Sequence, residues 1–180
     1  DFSLSHLYVT SDGLVGKPFG DPDKLVPKMQ RVKKALQHSV KGSSHFERHL
    51  KRLATLHRRF NNQKKAYLRQ LATQFAADYD HVFVEDLDLM QMYRKGFKAW
   101  RRKIMMGSYA LFLKYLDEAM HKQGHSITKV SRWFPSTKTC SKCGHIQTVP
   151  LSARVYKCPE CGLVMDRDTN AAINIQQEGL

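Results

Sequence analysis

The sequence predicts an α/β fold in which a mixed sheet is flanked by helices and a small cysteine-rich module is inserted late in the chain. Short alternating or β-branched runs typical of strands are separated by longer stretches with apolar residues at helical spacing. Four cysteines lie between positions 140 and 161 as two C-x-x-C pairs. The length of 180 residues suits one core of ordinary size with a small appendage.

The amino-terminal part predicts a hairpin followed by a helix. Residues 7–10 alternate apolar and polar, a turn is indicated at 11–13, and an apolar pair resumes the strand pattern within the first 20 residues. Pro27 suits the first turn of a helix reaching about Gln37.

A long helix and a buried strand follow. Ser44 with Glu47 three residues later is a capping-box pattern, and apolar residues keep helical spacing to about Ala77. The β-branched and aromatic run 81–85 predicts a central strand that ends in Glu85.

The second half predicts a helix, a strand and a short final helix. Residues 93–103 are aromatic and basic without clear periodicity, whereas 109–124 have a helical apolar pattern. Residues 126–133 predict a strand. The last helix begins near Asp168, with Asp168 or Thr169 as its cap.

The charge balance points to a polyanionic partner. Thirty Lys and Arg oppose sixteen Asp and Glu, a net charge of +14, and residues 28–69 hold thirteen of the bases but one acid. General solubility is the alternative. The 42% hydrophobic and 26% charged fractions disfavour disorder, and no apolar run approaches the roughly 20 residues of a membrane span.

The cysteine spacing predicts a structural zinc site. Each pair can turn two thiolates toward one tetrahedral ion, and Gly144 and Gly162 suit the tight turn after each pair. A catalytic zinc is disfavoured because four cysteines close the coordination sphere, and a redox dithiol because the pair is duplicated. His145 is left out of the ligand set. The predicted ligands are Cys140, Cys143, Cys158 and Cys161.

Acidic residues are scarce, so their positions carry information. Asp1 lies in the predicted first strand, Glu85 ends a strand, and Asp166 and Asp168 precede the last helix. Separated carboxylates of this kind suit a hard cation such as Mg²⁺. The spacing is equally compatible with acids that bind no metal, with Glu85 only ending a strand and Asp166 forming an ion pair at the surface.

Several motifs resemble the TnpB family, a transposon-encoded family similar to type V CRISPR effectors, and the resemblance extends over essentially all 180 residues. The motifs are Val84-Glu85-Asp86-Leu87, the two knuckles Thr137 to Gly144 and Cys158 to Gly162, and Asp166-Arg167-Asp168-Thr169-Asn170-Ala171-Ala172-Ile173-Asn174-Ile175. Residues 41–61 also resemble the segment between the family's first two catalytic motifs.

The resemblance implies an RNase H-like, RuvC-type core with an inserted zinc ribbon. The implied domains are 1–133 for the core, 134–164 for the ribbon and 165–180 for the last motif and helix. Asp1, Glu85 and Asp168 match the family's three catalytic Mg²⁺ ligands. Asp166 is the alternative to Asp168, and Asn170 is expected to support Asp168. The implied reaction is two-metal phosphodiester hydrolysis.

The resemblance implies two partners, a DNA target and a guide RNA that selects it, and no membrane. The implied location is the prokaryotic cytoplasm, where the protein would associate with the nucleoid when it acts. Basic residues after position 93 are expected to contact nucleic-acid backbone, with Phe97 and Trp100 available for stacking. These bases are Arg94, Lys95, Lys98, Arg101, Arg102 and Lys103.

The chain departs from the family at Asp1, where an amino-terminal guide-handling region is expected to precede it. An α-amino group, positive near neutral pH, is then expected beside the metal ligands. The 180 residues alone are expected to be weakly active or inactive. The rival functions are a catalytically inactive guide-RNA or DNA-binding module, and a zinc-ribbon accessory protein in transposition or transcription.

Overall fold

The fold is given by a computed structural model that describes residues 1–2, 6–21, 23–95, 108–150 and 152–180. The predicted nucleic-acid contacts Lys98, Arg101, Arg102 and Lys103 lie outside the described residues, as do Phe97 and Trp100. No helix in the described ranges is both long and apolar enough to cross a membrane.

Five helices are described, and their positions follow the apolar spacing. The helices are α1 (Leu25–Gln37), α2 (Ser44–Asp78), α3 (Leu89–Lys95), α4 (Tyr109–Lys122) and α5 (Arg167–Gly179). The predicted boundaries of α1, α2, α4 and α5 lie within two residues of the observed ones. The short helix α3 was not, although the carboxylate of Asp88, which accepts a hydrogen bond from the amide of Gln91 at 2.8 Å, is a typical helix start.

The strands pair two by two. They are β1 (Tyr8–Val9), β2 (Val15–Gly16), β3 (His81–Glu85), β4 (Ser126–Val130), β5 (Val155–Lys157) and β6 (Val164–Asp166). β1 and β2 form the predicted hairpin, β5 and β6 are antiparallel, and β3 and β4 are parallel with Glu85 opposite Val130. The described residues therefore have both strand directions, as predicted.

The prediction of one mixed sheet is wrong for the described residues, where the strands form three separate two-stranded sheets. The reason is that α5, rather than further strand pairing, connects them: this helix packs against β1, β3, β4, β5 and β6. Strand β4 also ends at Val130, three residues before the predicted end, because the chain turns at 132–134.

Two helix caps lie one or two residues before their predicted positions. The hydroxyl of Ser43, not that of Ser44, accepts the amide hydrogen bond of Phe46 at 3.2 Å. At α5 the cap is Asp166, whose carboxylate accepts from the amide of Thr169 at 2.9 Å. Adjacent residues of similar capping propensity cannot be separated by local pattern alone, which explains both corrections.

The chain divides into two compact units. The smaller, residues 19–71, contains α1 and most of α2. Within it, the carboxylate of Asp23 accepts hydrogen bonds from Arg59 at 2.5 Å and Gln63 at 2.8 Å, and the ring of Phe19 lies 5.4 Å from that of Phe60. These contacts connect the start of α1 to the middle of α2.

The larger unit comprises residues 1–18 and 72–180. Its apolar core includes Val82 and Val84 of β3 and Phe112 and Leu116 of α4. The ring of Tyr8 stacks on Phe112 with centroids 5.2 Å apart, which attaches the hairpin to the core. All of the predicted metal ligands lie in this unit.

The capping correction predicts a difference between two neighbouring serines. Ser43→Ala should lower the free energy of unfolding by about 1 kcal/mol, because the amide of Phe46 loses its acceptor. Ser44→Ala, an exposed substitution inside the helix, should change it by less than about 0.5 kcal/mol. Urea denaturation measures both, and a larger loss from Ser44→Ala would show that the cap is at residue 44 after all.

Candidate metal centres

Two turns with the same backbone hydrogen bonds each carry one pair of the four cysteines. In the first turn the amide of Cys140 donates to the carbonyl of His145 at 2.8 Å, and the amide of Gly144 donates to the carbonyl of Cys140 at 2.9 Å. The amides of Cys158 and Gly162 repeat both bonds in the second turn. Gly144 and Gly162 have φ of 75° and 71°, a region that favours glycine.

The sulfur atoms are spaced as a tetrahedral ion requires. All four Sγ atoms lie within 4.8 Å of one another, and the Cys140–Cys161 and Cys143–Cys158 pairs are each 3.6 Å apart. Zn–S bonds of about 2.3 Å place sulfurs about 3.8 Å apart at the corners of a tetrahedron. The four residues are free cysteines, not disulfides. The cluster therefore fits a metal such as zinc.

The surroundings of Cys140 favour its thiolate. Burial opposes ionisation of the Cys140 thiol, but hydrogen bonds from the amides of Cys143 and Lys142 outweigh it and lower the pKa of Cys140 to about 7. Cys140, Cys158 and the fully buried Tyr156 form a small core of their own. His145 contributes its backbone carbonyl here and does not belong to the ligand cluster.

The predicted catalytic acids lie in three separate segments of the larger unit. Glu85 ends β3, at the carboxyl edge of the parallel pair β3 and β4, and its Oε1 accepts a 2.6 Å hydrogen bond from the hydroxyl of Ser136. Asp168 is buried in the first turn of α5. Asp1 is not in an assigned strand, but it exchanges two backbone hydrogen bonds with Val9 of β1, at 2.8 and 2.9 Å.

The amino group of Asp1 lies within electrostatic range of the other two acids. Burial lowers the pKa of the Asp1 α-amino group to about 6, and the charges of Glu85 and Asp168 act in the opposite direction. Burial, with a further contribution from Glu85, raises the pKa of the Tyr109 phenol. Glu85 and Asp168 thus both lie close enough to influence Asp1.

The three carboxylates do not form a tight cage of ligand atoms. The ligand atoms of the four cysteines all lie within 4.8 Å of one another. Among the described residues, the carboxylate oxygens of the three acids do not form such a cluster. The guanidinium of Arg167 donates two hydrogen bonds to one oxygen of Asp168, at 2.8 and 3.1 Å. Arg167 therefore balances the charge of this buried carboxylate.

Asp166 and Asp168 have different environments. Asp166 is exposed and caps α5 through its carboxylate, whereas Asp168 is 7% exposed and faces the interior. This difference favours Asp168 over Asp166 as the third acid. The side chain of Asn170, which is expected to support Asp168, forms hydrogen bonds with the backbone of Thr139 and Ser141.

Two of the predicted nucleic-acid contacts are described, and one cavity of the larger unit reaches Asp1. Arg94 and Lys95 are exposed at the end of α3. A cavity of about 410 Å³ is lined by Asp1, by β3 residues 81–84 and by part of α4, but by neither Glu85 nor Asp168. The acids therefore do not converge on this cavity.

Sequence reasoning missed three residues that contact the acids or lie beside them. Ser136 donates a hydrogen bond to Glu85, Arg167 pairs with Asp168, and the phenol of Tyr109 is within electrostatic range of Glu85. Arg167 could have been found, since a base directly before a buried acid is a local signal. Ser136 is 51 residues from Glu85, and no local pattern links the two.

Two family models match this chain. Residues 1–96 match the model of a family described as "Probable transposase", and residues 109–175 match the "Cas12f1-like, TNB domain". A Mycobacterium tuberculosis protein whose name contains the words RNA-guided DNA endonuclease is 33% identical over 151 residues, 82% of this chain and 33% of that protein. A TnpB-like protein of Acanthamoeba polyphaga mimivirus is 31% identical over 132 residues, 71% of this chain and 25% of that protein.

The fold has a counterpart among solved structures. A cryo-EM structure of a Cas12f1, sgRNA and target DNA complex matches with a TM-score of 0.61 and 22% identity, covering 93% of this chain and 46% of that one. At this identity the likeness concerns the fold, which is α/β and similar to that of Cas12f.

The match to the "Probable transposase" model, which covers more than half of the chain, defines the class of this protein. The chain belongs to the TnpB family. It spans about a third of the length of the curated M. tuberculosis relative that it matches.

The cysteine geometry predicts one zinc ion per chain. Cys143→Ser should remove most of the bound zinc and lower the melting temperature, because three thiolates leave the tetrahedron open. His145→Ala is the matched control, since only the backbone of His145 serves the first turn, and it should keep its zinc. Elemental analysis with thermal melting measures both. Full zinc retention in Cys143→Ser would contradict a four-cysteine site.

Proposed function

We propose that this chain is the RuvC-like, RNase H-type nuclease part of an RNA-guided DNA endonuclease, with a structural zinc ribbon inserted before its last acid. The observation that carries the proposal is that Glu85, at the end of β3, and buried Asp168, at the start of α5, both lie within electrostatic range of the backbone nitrogen of Asp1 beside β1. Carboxylates supplied by separate elements around one point are the usual donors for catalytic Mg²⁺.

The residues present fit such an ion in their chemistry. Asp1, Glu85 and Asp168 offer oxygen donors, which Mg²⁺ prefers, and four cysteine sulfurs suit zinc at the other centre. Bound magnesium ions would supply water activation and stabilisation of the leaving 3′ oxygen in phosphodiester hydrolysis.

The side chains around the acids have separable roles. Ser136 holds one oxygen of Glu85 and leaves the other oxygen to a ligand, while the buried Tyr109 restricts water beside it. Arg167 neutralises Asp168 and must yield part of this carboxylate when a metal binds. The domain boundaries near 133 and 164 belong to the proposal as well, since they place the ribbon between Glu85 and Asp168.

The proposed partners are target DNA and a guide RNA, acting in a prokaryotic cytoplasm at the nucleoid and not at a membrane. The net charge of +14 supports a polyanionic partner, as do the names of the relatives. Exposed Arg94 and Lys95 would contact backbone phosphates. Base pairing with the guide would select the sequence, so that the protein's own contacts need mostly charge.

The rival functions differ in what they require of the acids. An inactive binding module, or a zinc-ribbon accessory protein, would keep the cysteines and the positive charge but would not need Glu85 and Asp168 to approach one another. Divalent metal binding by these acids therefore separates the nuclease proposal from both rivals.

Titration with Mn²⁺, followed by electron paramagnetic resonance, tests that binding in the zinc-loaded chain. Glu85→Gln and Asp168→Asn should each weaken Mn²⁺ binding at least about tenfold, because each removes a charged oxygen ligand. Asp166→Asn is the matched control: asparagine caps helices as well as aspartate, so α5 and the Mn²⁺ affinity should both be kept. Equal losses in the two aspartate variants, or none in Glu85→Gln, would contradict the assignment.

Cleavage of single-stranded DNA with Mg²⁺ tests the activity itself. We expect these 180 residues alone to cleave slowly or not at all, since the acids are not gathered within 4.8 Å and Arg167 occupies an oxygen of Asp168. Any cleavage should be abolished in Glu85→Gln. Robust turnover that Glu85→Gln abolishes would overturn the expectation of weak activity, and turnover that Glu85→Gln leaves intact would overturn the proposed site.

A further inference from the structure

The segment 136–141 lies between the two candidate metal centres and contacts both. Its first residue, Ser136, binds Glu85, and its fifth, Cys140, is a ligand candidate of the cysteine cluster. Along the same segment, side chains from α5 hold the backbone. This arrangement joins the ribbon to a proposed catalytic acid through a few named hydrogen bonds.

The contact with Glu85 is short and protected. The hydroxyl of Ser136 donates to Oε1 of Glu85 at 2.6 Å, within the range of charge-assisted O–H···O⁻ bonds. Ser136 is 4% exposed, so water hardly competes for the bond. A hydroxyl held in this way fixes the rotamer of the carboxylate and so the direction of its second oxygen.

The backbone around Ser136 is held by two buried asparagines, Asn170 and Asn174. They are four residues apart on α5 and therefore lie on one face. The amide nitrogen of each donates to the carbonyl of Thr139, at 2.8 and 2.7 Å, and Asn174 also donates to the carbonyl of Ser136 at 2.7 Å. Asn170 and Asn174 are 0% and 2% exposed, so breaking these bonds would leave buried polar groups unpaired.

The far end of the segment is held in the cysteine cluster. The side-chain oxygen of Asn170 accepts from the amide of Ser141, next to Cys140, at 3.0 Å. The phenol of Tyr156, in the core of the ribbon, donates to the carbonyl of Lys138 at 3.1 Å. The same backbone segment is thus attached to the ribbon, to α5 and to Glu85.

We propose that Ser136 is a positioning residue for Glu85, and that Asn170 and Asn174 hold Ser136 in place from the helix that carries Asp168. The inference rests on the proposed function, because it assigns Ser136 a role at the same acid site. It goes further in making the inserted ribbon part of the geometry of that site. The ribbon's first knuckle fixes the segment, the segment fixes Ser136, and Ser136 fixes the carboxylate that binds the metal.

Mn²⁺ affinity of the zinc-loaded chain tests the role of Ser136. Ser136→Ala should weaken Mn²⁺ binding at least about tenfold, the effect expected when the hydrogen-bond partner of a metal ligand is removed. Zinc content should not change, because Ser136 is not a zinc ligand. The matched control is Ser131→Ala: this exposed serine of the preceding loop accepts from the amide of Trp133 and does not bind Glu85, so Mn²⁺ affinity should stay within twofold.

A double-mutant cycle separates positioning from a general loss of stability. Once Glu85→Gln has removed the charged partner, adding Ser136→Ala should weaken Mn²⁺ binding by less than about twofold further. Asn174→Ala, which removes the donor to the carbonyl of Ser136, should weaken Mn²⁺ binding in the same direction as Ser136→Ala. If Ser136→Ala fails to fold, Ser136→Cys keeps the volume with a weaker donor and should show a smaller loss of the same sign.

The outcomes distinguish this inference from the function on which it rests. If Glu85→Gln weakens Mn²⁺ binding and Ser136→Ala does not, the positioning role is wrong and the proposed acid site stands. If Glu85→Gln leaves Mn²⁺ binding unchanged, both fall. Equal losses from Ser136→Ala in the wild-type and Glu85→Gln backgrounds would also contradict positioning, because they would show an effect that does not pass through Glu85.

Discussion

The structure of the larger unit depends on the buried face of α5, where polar and apolar side chains alternate and each polar group has a partner. Ala171, Ala172 and Ile175 are buried on this helix, which packs against the strands, while Asn170 and Asn174 donate to backbone carbonyls of the ribbon. A buried amide without a partner would cost roughly 1–3 kcal/mol, so these residues specify what must lie against the helix. The small alanines allow the strands to come close.

One helix therefore organises both candidate metal centres. It carries Asp168 in its first turn and holds the first cysteine knuckle through Asn170 and Asn174. An insertion of some thirty residues between β4 and α5 would ordinarily be expected to move freely on its connections. Here its first turn is attached to the helix that follows it, so the ribbon has a fixed relation to β3 and Glu85 within this unit.

What the sequence could and could not predict follows the range of the interactions. Strand β3, helix α4 and the cysteine cluster have local patterns: a β-branched run, apolar spacing and paired C-x-x-C. The partners of Asn170 and Ser136 have none, because they lie 29 to 51 residues away and are chosen by packing. The single mixed sheet failed for a related reason, since strand patterns do not say whether a neighbouring strand or a helix covers each edge.

The central claim is that Glu85 and Asp168 share a divalent-metal site distinct from the cysteine centre. Anomalous X-ray scattering from a crystal of the zinc-loaded chain soaked in Mn²⁺, recorded at the manganese and zinc edges, tests it most directly. Zinc should appear about 2.3 Å from the four sulfurs. Manganese should appear about 2.0–2.2 Å from carboxylate oxygens of both Glu85 and Asp168. Manganese bound to neither acid, or to exposed Asp166 in place of Asp168, would contradict the account.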